Sequence, residues 1–558
     1  MKALTAYLQT SLRFDLIAGL TVAMIAVPQA MAYAAIAGVN PIYGLYTAIL
    51  PAIIAALFGS SRHLNTGPTN GIALVTIGVL LPVVTRADYV EYVFATAIIS
   101  GTMRLLLGVL RLGGIIRYVS NAVLTGFLAG ASILIIVNQL GNLLGLPRST
   151  SHEPLGTLYE ALRGLLYLNP FIALTGIATI LLLLVLRRIN QSLPAPLLTI
   201  VFASLGVQIL GWDGRGLELV SSLGSLQVGL VFHIPQIDWF AEQRLEMMLV
   251  GSGAVALLGL VEPLSVAKSI AATSGQRIDS SREFVGQGLA SLVGGFFQCI
   301  PSSGSLSRSA VNFESGAHTR GASILSGIFV FLVAIAFAPW LGYIPLASLA
   351  GIVMVTAIKM INRHQIEMTW RSGLPSRLTF VITLVATLFL PLHLAIYLDA
   401  FLSIAIYLYE TSRVQLSYLV ENGEGKFSER RLEEILQTRP PIAIINIEGA
   451  LYFAAVEDLE RQLDVLFTSG VKTVILRMRR VRLLDSTGVT ALERIATTAR
   501  KSSFTIMLCG LREDVAMTLE ASGITRLFGT QNIFEADDTL FESTRMALRH
   551  AERQHNVY

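Results

Sequence analysis

Runs of apolar residues long enough to cross a bilayer recur along this chain, and no other feature narrows its fold so far. "FIALTGIATILLLLVL" (171–186), "LTFVITLVATLFLPL" (378–392) and "ASILSGIFVFLVAIAFAPWLG" (322–342) approach the roughly 20 residues that span the hydrocarbon core. A soluble domain carries about 25% charged residues; here 14% are charged and 53% hydrophobic. Most of the chain cannot face water, so a polytopic α-helical membrane protein is expected, with the lipid bilayer as its surroundings. The first apolar segment, from Asp15 to about Gly38, lacks an A-x-A-like cleavage site and runs into a second span. It reads as a retained helix and not a signal peptide. A net charge of +4 over 558 residues gives no case for a nucleic acid partner. Two cysteines, Cys299 and Cys509, make no disulfide framework.

About fourteen apolar segments are centred near residues 25, 50, 75, 100, 130, 178, 202, 257, 290, 309, 330, 351, 383 and 402. Lysine and arginine in the short loops set the orientation. With the N-terminus inside, the cytoplasmic loops hold Arg62, Arg111, Arg117, Arg187, Arg188, Lys268, Arg277, Arg282, Arg320, Lys359, Arg363, Arg371 and Arg377. The opposite loops hold Arg86, Arg148, Arg163, Arg215 and Arg244, diluted by acids such as Asp88, Glu153, Glu218 and Glu242. The expected organisation is a cytoplasmic N-terminus (1–14) and a transmembrane domain (15–410), then a linker (411–438) and a cytoplasmic α/β domain (439–552).

The membrane part contains a repeat, about 15–212 and 247–410. "AVPQAMAYAA" (26–35) and "LVEPLSVAKS" (260–269) each set a polar residue beside a proline inside a span. Some forty residues later each half has a small, hydroxylated segment broken by glycine: "NTGPTNGIALVT" (65–76) and "SSGSLSRSAV" (302–311). Seven spans separate the corresponding elements, so the two seven-segment halves are expected to be inverted. Paired interrupted segments of this kind point to a transport site near the bilayer midplane.

Non-helical backbone cannot face lipid, because each unpaired amide or carbonyl there costs several kcal/mol. "IPSSGS" is therefore expected to lead into a half-helix beginning near Ser303–Ser305, its free amides and positive dipole end facing a cavity. "TGPTNG" does the same from the other half, with Pro68 suited to a first-turn position. Two such ends facing each other make an anion site. Ser305, Ser307, Thr66 and Thr69 add hydroxyls, and Arg308 adds a fixed positive charge. Tight helix packing alone could explain the small residues. It does not explain Arg308, since an arginine within a span costs about 2.5–3.5 kcal/mol on insertion scales.

"VPQAMAYAAIAGVNPIYGLYTAILP" (27–51), "TGPTNGIALVT", "GLVEPLSVAKSIA", "FVGQGLASLVGGFF" and "GSLSRSAVNFESGAHT" together resemble the SulP family of anion transporters and sulfate permeases, collinearly over nearly the whole chain. The resemblance implies fourteen spans in two inverted repeats, a core domain moving against a gate domain, a C-terminal STAS domain and homodimers. It implies an anion site lined by Gln29 and Tyr33 of the first span, by Pro68 and Thr69, and by Ser305, Leu306, Ser307 and Arg308. Substrates in the family include sulfate, bicarbonate, chloride, oxalate and dicarboxylates.

Glu262, in "GLVEPLSVA", lies inside the eighth span, where a carboxylate is expected to be protonated or partnered; Arg308 is the expected partner. A proton cycle follows. Without anion, Glu262 neutralises Arg308; when a divalent anion occupies Arg308, Glu262 is freed and takes up a proton. The glutamate and arginine resemble the proton-coupled sulfate permeases of the family. Its sodium-coupled bicarbonate members carry an aspartate–serine pair in place of Glu262–Pro263 and lack the arginine. A static ion pair is the competing reading.

In the polar tail, "PIAIINIEGALYFAAVEDLERQLDVL", "VKTVILRM" and "FTIMLCG" read as strands alternating with helices. The "DSTG" at Asp485–Gly488 resembles the phosphorylatable loop of the anti-sigma factor antagonists that share the STAS fold. Ser486 is thus a candidate phosphosite through which a cytoplasmic regulator could act, with a helix N-cap as the plainer role. No Walker motif, catalytic serine arrangement or histidine pair at metal-ligand spacing occurs, so neither an enzyme nor a cofactor is expected. The expected function is proton-coupled sulfate uptake. Bicarbonate, dicarboxylate or chloride exchange is the alternative within the class, and an anion channel or anion sensor the alternative outside it.

Overall fold

In a computed structural model the protein is described over residue 7 and residues 9–114, 120–147, 154–190, 193–212, 215–223, 229–237, 244–422, 426–468, 470–501, 504–539 and 541–555. It divides into two compact units, Met1–Ser403 and Ile404–Tyr558.

The first unit is built of helices. The principal ones are α1 (Leu12–Ile36), α2 (Pro41–Phe58), α3 (Asn70–Val79), α4 (Tyr89–Val109), α5 (Asn121–Leu144), α6 (Pro170–Ile189) and α7 (Ala195–Leu210). They are followed by α8 (Arg244–Ser274), α9 (Ser280–Gly295), α10 (Leu306–Glu314), α11 (Gly321–Ala336), α12 (Leu346–Met360), α13 (Leu374–Phe389) and α14 (Leu392–Thr411). Among the described residues eight helices are long and apolar enough to cross a membrane, and four more are apolar but shorter. The starts follow local chemistry. Asn40 and Asn169 cap α2 and α6 by accepting from the amides of Ile42 and of Phe171 and Ile172, and a proline opens each helix, where its missing N–H is no loss. Pro28 and Pro263 both lie within helices, at the corresponding places expected of the two halves.

Two bundles result. In one, α9 packs on α4 and α2, α11 packs on α1 and α2, and α8 packs on α4. In the other, α12 and α13 pack on α5, and α6 packs on α12 and α7. Helix α1 touches both bundles, through α11 on one side and α7 and α12 on the other. The α4–α9 seam is close because glycines allow it. A Cβ on Gly101 would stand 2.3 Å from the Leu292 amide nitrogen, and one on Gly288 would stand 2.4 Å from that of Leu105. Small residues bring backbones together where lipid leaves no hydrophobic drive between helices.

The helices α3 and α10, at 10 and 9 residues, are too short to span. Each is preceded by a two-residue strand, β1 (Thr66–Gly67) and β2 (Ser303–Gly304), and the two strands pair antiparallel with Thr66 opposite Gly304 and Gly67 opposite Ser303. This pairing satisfies backbone groups that a helix would otherwise have to satisfy.

The second unit is a six-stranded sheet with helices. Its strands are β3 (Gln415–Asn422), β4 (Lys426–Arg430), β5 (Ile442–Leu451), β6 (Thr473–Leu484), β7 (Thr505–Leu511) and β8 (Ile533–Glu535), in the order β4-β3-β5-β6-β7-β8. β5 to β8 are parallel, and β3 is antiparallel to both β4 and β5. Residues 411–438, expected as a linker, contain β3 and β4, which extend the sheet. Helices α15 (Val456–Thr468), α16 (Ser486–Lys501), α17 (Glu513–Ala521) and α18 (Glu542–His555) complete it.

Candidate functional site

The β1–β2 crossing carries the site, because each strand hands the chain directly to a half-helix N-terminus. Thr69 caps α3, its Oγ1 accepting from the Ile72 amide at 3.4 Å. Ser305 caps α10 in the same way, accepting from the Arg308 amide at 3.4 Å, with Ser307 Oγ 3.3 Å from Ser305 Oγ. The Ser305 amide donates to the Asn65 carbonyl at 2.9 Å. The Asn65 amide in turn donates to Ser309 Oγ at 2.9 Å. The two helix starts are thus tied to each other by backbone and hydroxyl bonds, and both present free amides and positive dipole ends.

Arg308 is fully buried at this crossing. Its Nε donates to Asn65 Oδ1 and its Nη1 to the Pro68 carbonyl, both at 3.0 Å. Its Nη2 is buried with no hydrogen-bond partner among the described residues. Gly67 leaves the guanidinium its place, since a Cβ there would stand 2.8 Å from Nη2. A guanidinium so placed, held by two neutral acceptors with one edge unsatisfied, is matched by an anion. On α1, Gln29 and Tyr33 are buried at 2% and 3% exposure, one turn apart. Gln29 Oε1 has no partner among the described residues, and Tyr33 lies within electrostatic reach of Arg308 and Glu262.

Not every expected residue takes its expected place. Pro68 is not in the first turn of α3. It precedes the capping Thr69 and stays outside the helix, contributing its carbonyl to Arg308. Thr66 Oγ1 accepts from Gln287 Nε2 at 2.8 Å and so is engaged with α9. Leu306 is 58% exposed and Ser307 is also exposed; they form the open edge of the site and not its buried part. The expected pairing of Glu262 with Arg308 is absent. Among the described residues no ion pair joins them, and Glu262 Oε2 instead accepts from Thr69 Oγ1 at 3.1 Å. The reason is geometric: Arg308 is turned toward the β1 loop by Asn65 and Pro68, whereas Glu262 on α8 meets the cap of α3. Asn65, which orients the guanidinium, was missed in the sequence; its position in "NTGPTNG", next to a suspected break, was the available signal.

In the second unit Asp485 takes the capping role, its Oδ1 accepting from the Gly488 amide at 2.8 Å and its Oδ2 from the Phe453 amide at 3.2 Å. Ser486 is exposed at the first position of α16.

Comparison with known proteins agrees over both units. Residues 12–386 match the model of the sulfate permease family, and residues 435–540 match the STAS domain. The chain is 28% identical over 531 residues to the Bacillus subtilis (strain 168) protein YvdB, covering 94% of this chain and 96% of that one. It is also 28% identical over 549 residues to "Sulfate transporter 4.1, chloroplastic" of Arabidopsis thaliana, covering 94% of this chain and 78% of that one. The structure of murine Solute Carrier 26 family member A9 (Slc26a9), an anion transporter in the inward-facing state, superposes with a TM-score of 0.85 at 19% identity. It covers 98% of this chain and 92% of that one. The chain therefore belongs to the sulfate permease family, whose members are membrane anion transporters and not enzymes.

Proposed function

We propose that the protein takes up sulfate together with a proton, binding the anion between the N-termini of α3 and α10 and the free edge of Arg308. Gln29, Tyr33, Thr69 and Ser305 line this position, with Pro68 fixing the guanidinium and Leu306 and Ser307 at its open edge. The observation that carries the reading is the unsatisfied Nη2 of a fully buried arginine at two capped helix starts. Buried guanidinium donors left without acceptors are costly, and an oxyanion supplies two oxygens in the plane Arg presents. The relatives named as sulfate transporters favour sulfate among the oxyanions.

Glu262 is the proton carrier. Thr69 joins it to the cap of α3, so it senses the site through a hydroxyl and through space and not through a direct ion pair. An arriving divalent anion cancels the positive charge near Glu262, and the carboxylate then takes up a proton that crosses with the anion. The charge bias of the loops supports an N-terminus and a STAS domain in the cytoplasm. Uptake of labelled sulfate into proteoliposomes under imposed gradients tests this. An inward proton gradient should drive accumulation and a sodium gradient should not. Sodium-driven accumulation, or saturable binding without any flux, would contradict it.

A further inference from the structure

A second arginine is sealed inside the first unit, away from the half-helix crossing. Arg104, on α4, is 0% exposed. Its Nη1 donates to the Ser302 carbonyl at 2.6 Å and to Ser291 Oγ at 3.0 Å, and its Nη2 donates to the Val255 carbonyl at 2.9 Å. Three separate elements are joined this way: the residue leading into β2, helix α9 and helix α8. All three acceptors are neutral, and among the described residues no acid lies within ion-pair distance of Arg104. Gly259 makes the room, because a Cβ there would stand 2.2 Å from Nη2 and 2.3 Å from Cζ.

Three residues beyond Gly259 on α8 comes Glu262, on the same helical face. Next to it, Pro263 sits directly against β2; a Cβ on Gly304 would stand 2.7 Å from the Pro263 Cβ. The stretch of α8 from Val255 to Pro263, a little over two turns, is therefore fastened to the strand that leads into α10, by Arg104 at one end and by the Pro263–Gly304 contact at the other. That stretch carries Glu262, and α10 carries Arg308.

We propose that Arg104 is a positioning residue of the coupling step: it holds the stretch of α8 that carries Glu262 at a set spacing from β2 and α10, and so from Arg308. This rests on Glu262 as proton carrier and Arg308 as anion ligand. Glu262 bonds Thr69 of α3, so its place depends on the same spacing. Without Arg104, α8 loses this tie to β2, and Glu262 and Arg308 no longer keep a fixed distance through the cycle.

The test is proton-driven accumulation of sulfate in proteoliposomes set beside sulfate–sulfate exchange, each as a function of sulfate concentration. Arg104→Gln cannot bridge the three acceptors and should raise the sulfate KM of proton-driven uptake about tenfold, the loss of one hydrogen bond to a charged group, and lower accumulation relative to exchange. Arg104→Lys should do the same to a smaller degree, because an ammonium cannot bridge three acceptors in one plane. Gly259→Ala keeps the arginine but displaces it, and should also raise KM about tenfold. A native KM with native accumulation in both Arg104→Lys and Gly259→Ala overturns the positioning role. Should Arg104→Gln fail to insert or to run as a single species, the other two variants decide. Native sulfate KM in Arg308→Gln would strike the anion site itself and is a separate outcome.

Discussion

Alanine at Gly67 isolates the geometry of the anion site without altering a single charge. The new Cβ would lie 2.8 Å from Arg308 Nη2, with the Thr47 carbonyl at 3.4 Å and the Ala48 Cα at 3.5 Å behind it. The wall formed by α2 backbone cannot retreat, and Gly67 is not among the glycines with positive φ, so alanine fits the backbone and the guanidinium must move. Reaching ordinary contact near 3.4 Å takes about 0.6 Å. A shift of that size stretches the 3.0 Å bonds to Asn65 and Pro68 and turns the free Nη2 away from the helix starts. A hydrogen bond to a charged group contributes about 1.5–3 kcal/mol, so losing one should raise the sulfate KM by about 10- to 150-fold. Turnover at saturating sulfate should change much less. The assay is concentration-dependent uptake of labelled sulfate into proteoliposomes, with Gly141→Ala on α5 as the control, since a Cβ there meets nothing within 4 Å. A Gly67→Ala protein with native KM would refute the placement of the anion beside Nη2.

Other outcomes follow from the same structure. Glu262→Gln should abolish accumulation driven by a proton gradient while sulfate–sulfate exchange continues; gradient-driven accumulation in this variant would end the coupling role of the carboxyl. In the STAS domain, burial pushes the Cys509 thiol up to about 11 against a smaller opposing effect of Thr544 and Arg477. It is therefore neutral at pH 8 and becomes thiolate only as the pH rises toward that value. Cys299 is also buried, so N-ethylmaleimide at pH 8 should label neither cysteine in the folded protein and both after denaturation. Gly488→Ala would set a Cβ 2.5 Å from the Leu451 carbonyl. It should destabilise the domain by about 1–3 kcal/mol, read as faster Cys509 labelling on mild heating.

The membrane class, the interrupted helices and the buried arginine were legible because each is a violation of a local rule. Apolar windows of span length leave no soluble alternative, the glycine, proline and hydroxyl clusters of "TGPTNG" and "IPSSGS" disfavour continuous helix, and Arg308 is conspicuous in hydrocarbon. Pairings across more than 200 residues were not legible. Nothing in "TGPTNG" or "SSGSLS" says that Thr66 lies opposite Gly304, and that register decides where Arg308 turns. The expected Glu262–Arg308 pair failed for the same reason: opposite charges were matched by sign, whereas Asn65, Pro68 and Thr69 supply nearer partners. Arg104 was invisible because it stands in the same helix end as the loop arginines that follow, and only the fold shows it bonded to Ser291, Ser302 and Val255. The strands β3 and β4 hid in a charged stretch whose alternation is too weak to read as an edge hairpin.

Locating the bound anion tests the central claim most directly. Selenate, a sulfate analogue with a strong anomalous signal, should appear in a crystal structure within hydrogen-bond distance of Arg308 Nη2, between the first turns of α3 and α10. Selenate bound elsewhere, with Arg308 Nη2 still unpartnered in a protein that transports sulfate, would contradict the account.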